Sequence, residues 1–299
     1  MNLRQALTTA AAQLAAVEDL RDQAFRDAEL LLLHSLQISR VTSIAYPERE
    51  LSAEQQALYQ SAIDRRLSLE PIQYITGQQE FYGLTLKVTP AVLIPRPETE
   101  HLVEAVLHHF ANLPQDRTFR LADIGTGSGA IAIALAVHLP QARITAVDLS
   151  PPALAVAEGN ARAHNVGHRI RFLQSDLLAA LHHGSAAAEP ASELAPTSEL
   201  FDAIVSNPPY IPESERPTLH PQVRDHEPST ALFAGESGLE IYRRLIPEAY
   251  AALKPNGLLA LEIGHGQSES LTTLLHGWDK LFFIKDLQQI PRVALALRP

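Results

Sequence analysis

The sequence predicts an α/β fold: a mainly parallel sheet with helices on both faces, preceded by a small helical bundle. Two observations carry this. From about residue 96 onward, short β-rich runs alternate with helical stripes, and such alternation builds parallel sheets covered on both sides. Before about residue 77, apolar residues recur at helical spacing. The 299 residues suffice for two domains.

In the first block, Leu3, Leu7, Ala11 and Leu14 fall on one stripe, and Leu20, Ala24, Ala28, Leu31, Leu32 and Leu36 on a second. Ser52 followed by Gln55 fits a capping box. Leu58, Ala62, Ile63 and Leu67 then share one broad face. Pro71 can open a short turn that Gly77 closes. Short amphipathic helices of this kind must pack on one another, so residues 1–77 read as a bundle.

Residues 78–95 change period. Leu84, Leu86 and Val88 alternate with Thr85 and Lys87, and Phe81-Tyr82-Gly83 precedes them, which predicts a linking β-hairpin. In the remaining block, 96–299, Pro97 suits a first helical position. Leu102, Val103, Val106, Leu107 and Phe110 form the stripe that follows it. Seven strands are expected, at 119–124, 143–147, 170–174, 201–206, 258–263, 281–285 and 292–297, with helices such as 130–138 and 153–164 between them. The stretch 182–199 is small, polar and Pro-containing, and reads as a flexible insertion. It leads into a strand start, away from the strand C-termini where ligands of open α/β sheets bind.

The 46% hydrophobic and 19% charged fractions are those of a globular protein. With 24 Lys+Arg against 34 Asp+Glu, the net charge of −10 opposes non-specific duplex binding. The absence of cysteine excludes disulfides, thiolate nucleophiles and Cys-based metal sites. The pairs His108-His109 and His182-His183 lack metal-ligand spacing, so no metal is expected. Gln13, Glu18, Asp19 and Arg21 interrupt any secretory core. No run approaches the roughly 18 apolar residues of a membrane span. The expectation is a soluble, cytoplasmic monomer.

Four short signals carry chemistry. The first is Asp123-Ile124-Gly125-Thr126-Gly127-Ser128-Gly129 between a strand and a helix. Glycine lets a ligand approach the backbone, and the helix start offers free N–H groups. The second is Asp148 at the end of the next strand, able to accept from both hydroxyls of a ribose or to cap the following helix. The third is Asp176-Leu177, a candidate adenine contact or another helix cap. These loops describe a nucleoside site without choosing between NAD and S-adenosylmethionine.

The fourth signal chooses. Asn207-Pro208-Pro209-Tyr210 follows a strand. Two prolines donate no hydrogen bond and fix φ, leaving the carbonyls of Asn207 and Pro208 as acceptors in a rigid turn. The Asn207 side-chain oxygen adds another, and Tyr210 offers a flat face. Together they suit a planar –NH₂ group.

These residues resemble class I S-adenosylmethionine-dependent methyltransferases that act on planar nitrogens. The whole chain resembles the HemK/PrmC family, the glutamine N5-methyltransferases of peptide chain release factors. The matching segments include Glu70–Gly77, Glu80–Gly83, Leu93–Glu100, His226–Pro228, Gly238–Tyr242 and Pro291–Val293. The resemblance implies a Rossmann-like seven-stranded sheet and S-adenosylmethionine held by Gly125, Thr126, Gly127, Ser128, Gly129, Asp148, Asp176, Leu177 and Asn207. It implies a substrate amide gripped by Asn207, Pro208, Pro209 and Tyr210, of which Asn207, Pro208 and Tyr210 are catalytic. The substrate would be the glutamine of the GGQ motif of a release factor, docked by residues 1–77. Arg96 is expected to cover the cofactor and Glu227-Pro228 to wall the substrate pocket, while Glu98 and Glu100 suit a first helical turn. Leu177, Ala234 and Gln289 depart from the family pattern. Two further activities share the same catalytic string: adenine N6-methylation of DNA, and glutamine methylation of a ribosomal protein. Acidity and the lack of a base-reading module weigh against DNA.

Overall fold

The computed structural model describes residues 1–114, 117–182 and 200–299; the expected insertion, apart from His182, lies outside them. The described residues form two compact units: Met1–Gln78 with Leu219–His226, and Gln79–Thr218 with Glu227–Pro299. Among them, no helix is long and apolar enough to cross a membrane.

The first unit is helical: α1 (Leu3–Ala15), α2 (Ala24–Leu36), α3 (Arg40–Ala45), α4 (Ala53–Leu67) and α5 (Ile72–Thr76). Two capping boxes fix helix starts, Asn2 with Gln5 and Ser52 with Gln55. Leu3, Leu14, Leu20, Ala28, Leu31, Leu32 and Ile63 fill the core. The buried face of α4 is the expected one in part: Ala62 and Ile63 are buried and Leu67 packs against the core. Tyr59, Ala62, Ile63 and Arg66 point inward, and Leu58 is 53% exposed. The reason is polar: the Tyr59 hydroxyl donates to the Ala28 carbonyl at 3.0 Å, and Arg66 pairs with buried Asp27 at 2.7 Å. These two polar partners draw Tyr59 and Arg66 inward and leave Leu58 outside. The segment Leu219–His226 closes on the same unit, where His226 Nε2 donates to the Ser68 carbonyl at 3.1 Å.

In the second unit, β1 (Gln78–Phe81) and β2 (Leu84–Lys87) form the expected hairpin. Its turn residues, Tyr82 and Gly83, have φ of 52° and 71°, as a two-residue primed turn requires. The main sheet contains β3 (Phe119–Ile124), β4 (Ala142–Asp148), β5 (Ile170–Gln174), β6 (Phe201–Ser206), β7 (Leu253–Glu262), β8 (Asp279–Lys285) and β9 (Pro291–Leu297). Their order is β5-β4-β3-β6-β7-β9-β8. The first five pair in parallel, and β9 runs antiparallel to both β7 and β8. Helices α6 (Glu100–Ala111), α7 (Ala130–His138) and α8 (Pro151–Ala163) follow the expected stripes. Helix α7 is apolar almost all round and is buried, as a helix between layers must be.

The order reverses at β3: β4 and β5 extend to one side, β6 and β7 to the other. Such a switch point opens a crevice at the C-terminal strand ends. All four sequence signals fall there.

The buried Asp27–Arg66 pair allows a clean test. Asp27→Ala leaves a guanidinium buried without its partner and should cost about 3–5 kcal/mol in denaturant unfolding of the helical unit. Asp27→Leu combined with Arg66→Met should recover most of that loss.

Candidate active site

The crevice encloses about 400 Å³. Gly125, Gly127, Asp148, Asp176, Leu177, Asn207, Pro208 and Pro209 all line it, joined by Ala91–Leu93 and by Pro228. Local bonds shape the glycine turn. The amides of Gly125 and Thr126 both donate to the Val147 carbonyl, at 2.8 and 2.9 Å. Gly125 and Gly127 adopt φ of 73° and 55°, and a Cβ at either would meet nothing within 4 Å. Their backbone is thus open to a ligand. Gly129 differs: a Cβ there would lie 2.9 Å from Ile133 Cδ1 and 3.1 Å from Ala157 Cβ. Its bareness lets α7 and α8 approach. Thr126 and Ser128 are buried and do not line the cavity. Thr126 Oγ1 donates to Asp123 at 2.7 Å, and the Ser128 carbonyl accepts from Asn160 Nδ2 at 2.8 Å.

Asp148 is not a helix cap. Ser150 caps α8, accepting from the Ala153 amide at 3.3 Å. The Asp148 carboxylate instead accepts from Gly127 N–H at 2.8 Å and Ser150 N–H at 2.9 Å, one bond on each oxygen. Each oxygen keeps a lone pair for a vicinal diol. Asp176 also leaves its helix uncapped by its side chain: Ser175 Oγ takes the Ala180 amide, and Asp176 pairs with Arg244 at 2.7 Å.

Behind the cavity sits Asp123, fully buried, with Oδ2 accepting from Thr126 Oγ1 and the Ala132 amide. Burial pushes its carboxyl up to about 7, the two hydrogen bonds draw it down, and nearby Asp148 raises it again. Its Oδ1 finds no partner among the described residues.

On the other wall, Asn207 Nδ2 donates to Thr99 Oγ1 at 3.1 Å. No described residue donates to Asn207 Oδ1 or to the Pro208 carbonyl. Tyr210 does not line the cavity. Its ring packs on the apolar cluster beside the sheet, its carbonyl accepts from Gln267 Nε2 at 3.0 Å, and its hydroxyl donates to Glu262 at 3.4 Å. Glu262 is buried. Desolvation raises its carboxyl to about 7, and its Oε2 finds no hydrogen-bond partner among the described residues.

Arg96 does not cover the cavity; it pairs with Glu227 at 2.5 Å. Glu227 has no exposed side-chain surface and also accepts from the Ile94 amide at 3.2 Å. It therefore anchors the loop that places Ala91–Leu93 in the wall, while Pro228 beside it faces the cavity. Glu100 accepts from the Tyr82 amide at 2.8 Å, tying α6 to the hairpin turn. The described residues contain no metal-binding cluster.

Three residues of this architecture escape the sequence reading. Asn160 bonds to both backbone groups of Lys87 and to Ser128. Thr99 accepts from Asn207, and Glu262 accepts from Tyr210. A signal existed for Glu262: it is the only charged residue in the apolar run 258–263, and carboxylates are rarely buried without a task.

The PrmC N-terminal domain family matches residues 5–77, and the methyltransferase small domain family matches residues 104–220. The release factor glutamine methyltransferase of Koribacter versatilis is 44% identical over 299 residues, covering 100% of this chain and 99% of the relative. The chain belongs to the release factor glutamine methyltransferase family. The enzyme of that name from Moorella thermoacetica is 45% identical, covering 92% of this chain and 89% of the relative. Among solved structures, the hMettl16 catalytic domain, in complex with an RNA hairpin of the MAT2A 3′UTR, superimposes with a TM-score of 0.53 at 18% identity. It covers 78% of this chain and 81% of that one. That likeness is one of fold.

The raised Asp123 carboxyl has a stability consequence. The folded state holds its proton more tightly than the unfolded chain, so the group's contribution is complete below pH 3.8 and fades as pH rises to about 7. Asp123→Asn cannot ionise. In chemical denaturation across that window, the wild type should lose stability relative to Asp123→Asn as pH rises; parallel curves would contradict the assignment.

Proposed function

We propose that this chain transfers a methyl group from S-adenosylmethionine to the side-chain amide nitrogen, N5, of a glutamine in a peptide chain release factor. The observation that carries the reading is the Asn207-Pro208-Pro209 turn facing the same cavity as Asp148 and the open glycine turn. Full-length relatives named release factor glutamine methyltransferase weigh for a protein glutamine and against DNA adenine.

The residues fit the cofactor. Gly125 and Gly127 leave space that a Cβ would take, Asp148 offers acceptors that would suit the ribose hydroxyls, and Asp176 and Leu177, which line the same cavity, would hold the adenine. When bound, S-adenosylmethionine supplies an electrophilic methyl group on its sulfonium. The chain's task is to present the other reactant. An amide nitrogen is a poor nucleophile because its lone pair is delocalised into the carbonyl. Asn207 Oδ1 and the Pro208 carbonyl can accept its two N–H hydrogens and hold the nitrogen with its lone pair toward the methyl. Holding the partners at about 3–3.5 Å in line makes the step effectively unimolecular. The nitrogen loses a proton once its new bond has made it acidic, so no dedicated base is required.

A glutamine side chain offers little surface, so selection of one protein draws on contacts elsewhere. The helical unit offers them. Helix α3 has no buried residue, and Val41, Ile44 and Tyr46 at its end are 75%, 68% and 65% exposed. We assign this apolar strip to docking of the release factor in the cytoplasm.

Asn207→Ala should lower kcat on the order of 10²–10³-fold in a labelled methyl-transfer assay, as loss of one preorganised polar contact does. A stable Asn207→Ala enzyme with normal kcat would end the catalytic reading. Asp148→Ala should weaken S-adenosylmethionine binding by roughly 1.5–3 kcal/mol in calorimetry. Replacing Val41 and Ile44 by Asp together should raise KM for the intact release factor about tenfold, as loss of an apolar anchor does, with cofactor affinity unchanged.

A further inference from the structure

We infer that Gln267 is a positioning residue of the proline turn: its side-chain amide holds the end of that turn and so sets where the Asn207 and Pro208 acceptors stand. The inference rests on the reading of those two groups as acceptors for the substrate amide.

A turn built on two prolines is hard to hold in place. Pro208 and Pro209 carry no N–H, so neither can be tied by donating. The Pro208 carbonyl accepts from no described residue. The turn must therefore be held at its ends. Upstream, Ser206 Oγ donates to the Ile124 carbonyl at 2.6 Å and fixes the end of β6. Downstream stands Tyr210, whose carbonyl accepts from Gln267 Nε2 at 3.0 Å. One residue on, the Ile211 amide donates to the Leu232 carbonyl at 3.0 Å, and the Ile211 carbonyl accepts from the Ala234 amide at 2.9 Å.

Gln267 comes from a third place in the chain, just ahead of the helix Ser268–Leu274. Its Nε2 also donates to the Gly238 carbonyl at 3.3 Å, and its Oε1 accepts from the Gly264 amide at 2.9 Å. A glutamine amide has two N–H donors and one carbonyl acceptor. One planar group thus joins the proline turn, the loop ahead of the helix Glu240–Ala252 and the loop after β7. The backbone dictates which way round it lies. Turned over, it would set an oxygen against two carbonyl oxygens and a nitrogen against an N–H.

The chain keeps room for this group. A Cβ at Gly264 would lie 2.9 Å from Gln267 Oε1 and 3.0 Å from Tyr210 Cδ2. A Cβ at Gly238 would strike the Tyr210 carbonyl oxygen and lie 3.1 Å from Gln267 Nε2. Two loops close onto the Gln267–Tyr210 contact, and a side chain on either would part it. Gln267 itself does not line the cavity. It therefore acts on the substrate only through the turn, and its loss should show in kcat more than in binding.

The test uses the full-length enzyme and intact release factor. Gln267→Glu keeps the shape and still accepts from the Gly264 amide, but an ionised carboxylate offers Tyr210 no donor. At neutral pH its kcat should fall about 10- to 100-fold, the scale of a misplaced reacting group. KM and calorimetric affinity for S-adenosylmethionine should stay within about twofold. A side chain that only filled space or held Gly264 would leave Gln267→Glu with normal kcat. Gln267→Met, which removes the donors without adding charge, should show the same split. Combined with Asn207→Ala, either variant should cost less than the product of the two single losses, because both act on one group. A folded Gln267→Glu enzyme with wild-type kcat would overturn the inference. So would a raised KM at normal kcat, or losses that multiply in the double variant. If Gln267→Glu fails to fold, Gln267→Met and its combination with Asn207→Ala decide. An impaired Asn207→Ala beside a normal Gln267→Glu would sink this inference alone; a normal Asn207→Ala would sink the reading beneath it.

Discussion

Reversal of strand order at β3 is the constraint on which the site depends. Loops leaving β3, β4 and β6 come off adjacent parallel strands at one end of the sheet. Side chains and amides at that end then lace them together. Gly127 N–H bonds to Asp148 across the ends of β3 and β4. Ser206 Oγ donates to the Ile124 carbonyl at 2.6 Å across β3 and β6. These bonds tie the two halves of the cavity floor together. The hydrophobic layers beneath contribute by excluding water from the strands that hold these ends.

The two walls have different chemistry. The β3–β4 wall presents open backbone and a carboxylate with unused lone pairs, which suits a polyhydroxylated nucleoside. The β6 wall presents acceptors in a turn whose prolines have no N–H to offer. A planar amino group meets only acceptors there. Discrimination follows from polarity more than from shape, because an incoming acceptor would be left unpaired in a site with few competing donors.

Much of this was legible in the sequence because it is local. Strands 119–124, 170–174 and 201–206 and helix 130–138 appear as expected, since each is a short, mainly apolar run whose few polar residues do not break it. The glycine turn and the proline turn also read locally, because backbone freedom and its loss belong to residue type. What did not read depends on partners distant in the chain. The burial of Arg66 needs Asp27, the setting of Arg96 needs Glu227, and Thr99 meets Asn207 only because the sheet brings them together. Tyr210, expected to face the substrate, turns toward Glu262 instead. Its ring packs on the apolar cluster beside the sheet. Gln289, expected from the resemblance to replace a glycine, adopts φ of 66°, in the left-handed region that favours glycine.

The central claim is that this cavity presents acceptors to a protein amide. The most direct measurement offers the enzyme labelled S-adenosylmethionine with release factor, ribosomal protein and duplex DNA side by side, and maps the product by mass spectrometry. The account predicts one added methyl group on the N5 of a single release factor glutamine, with duplex DNA unlabelled. Label on adenine in DNA, or on a ribosomal protein with the release factor untouched, would contradict it.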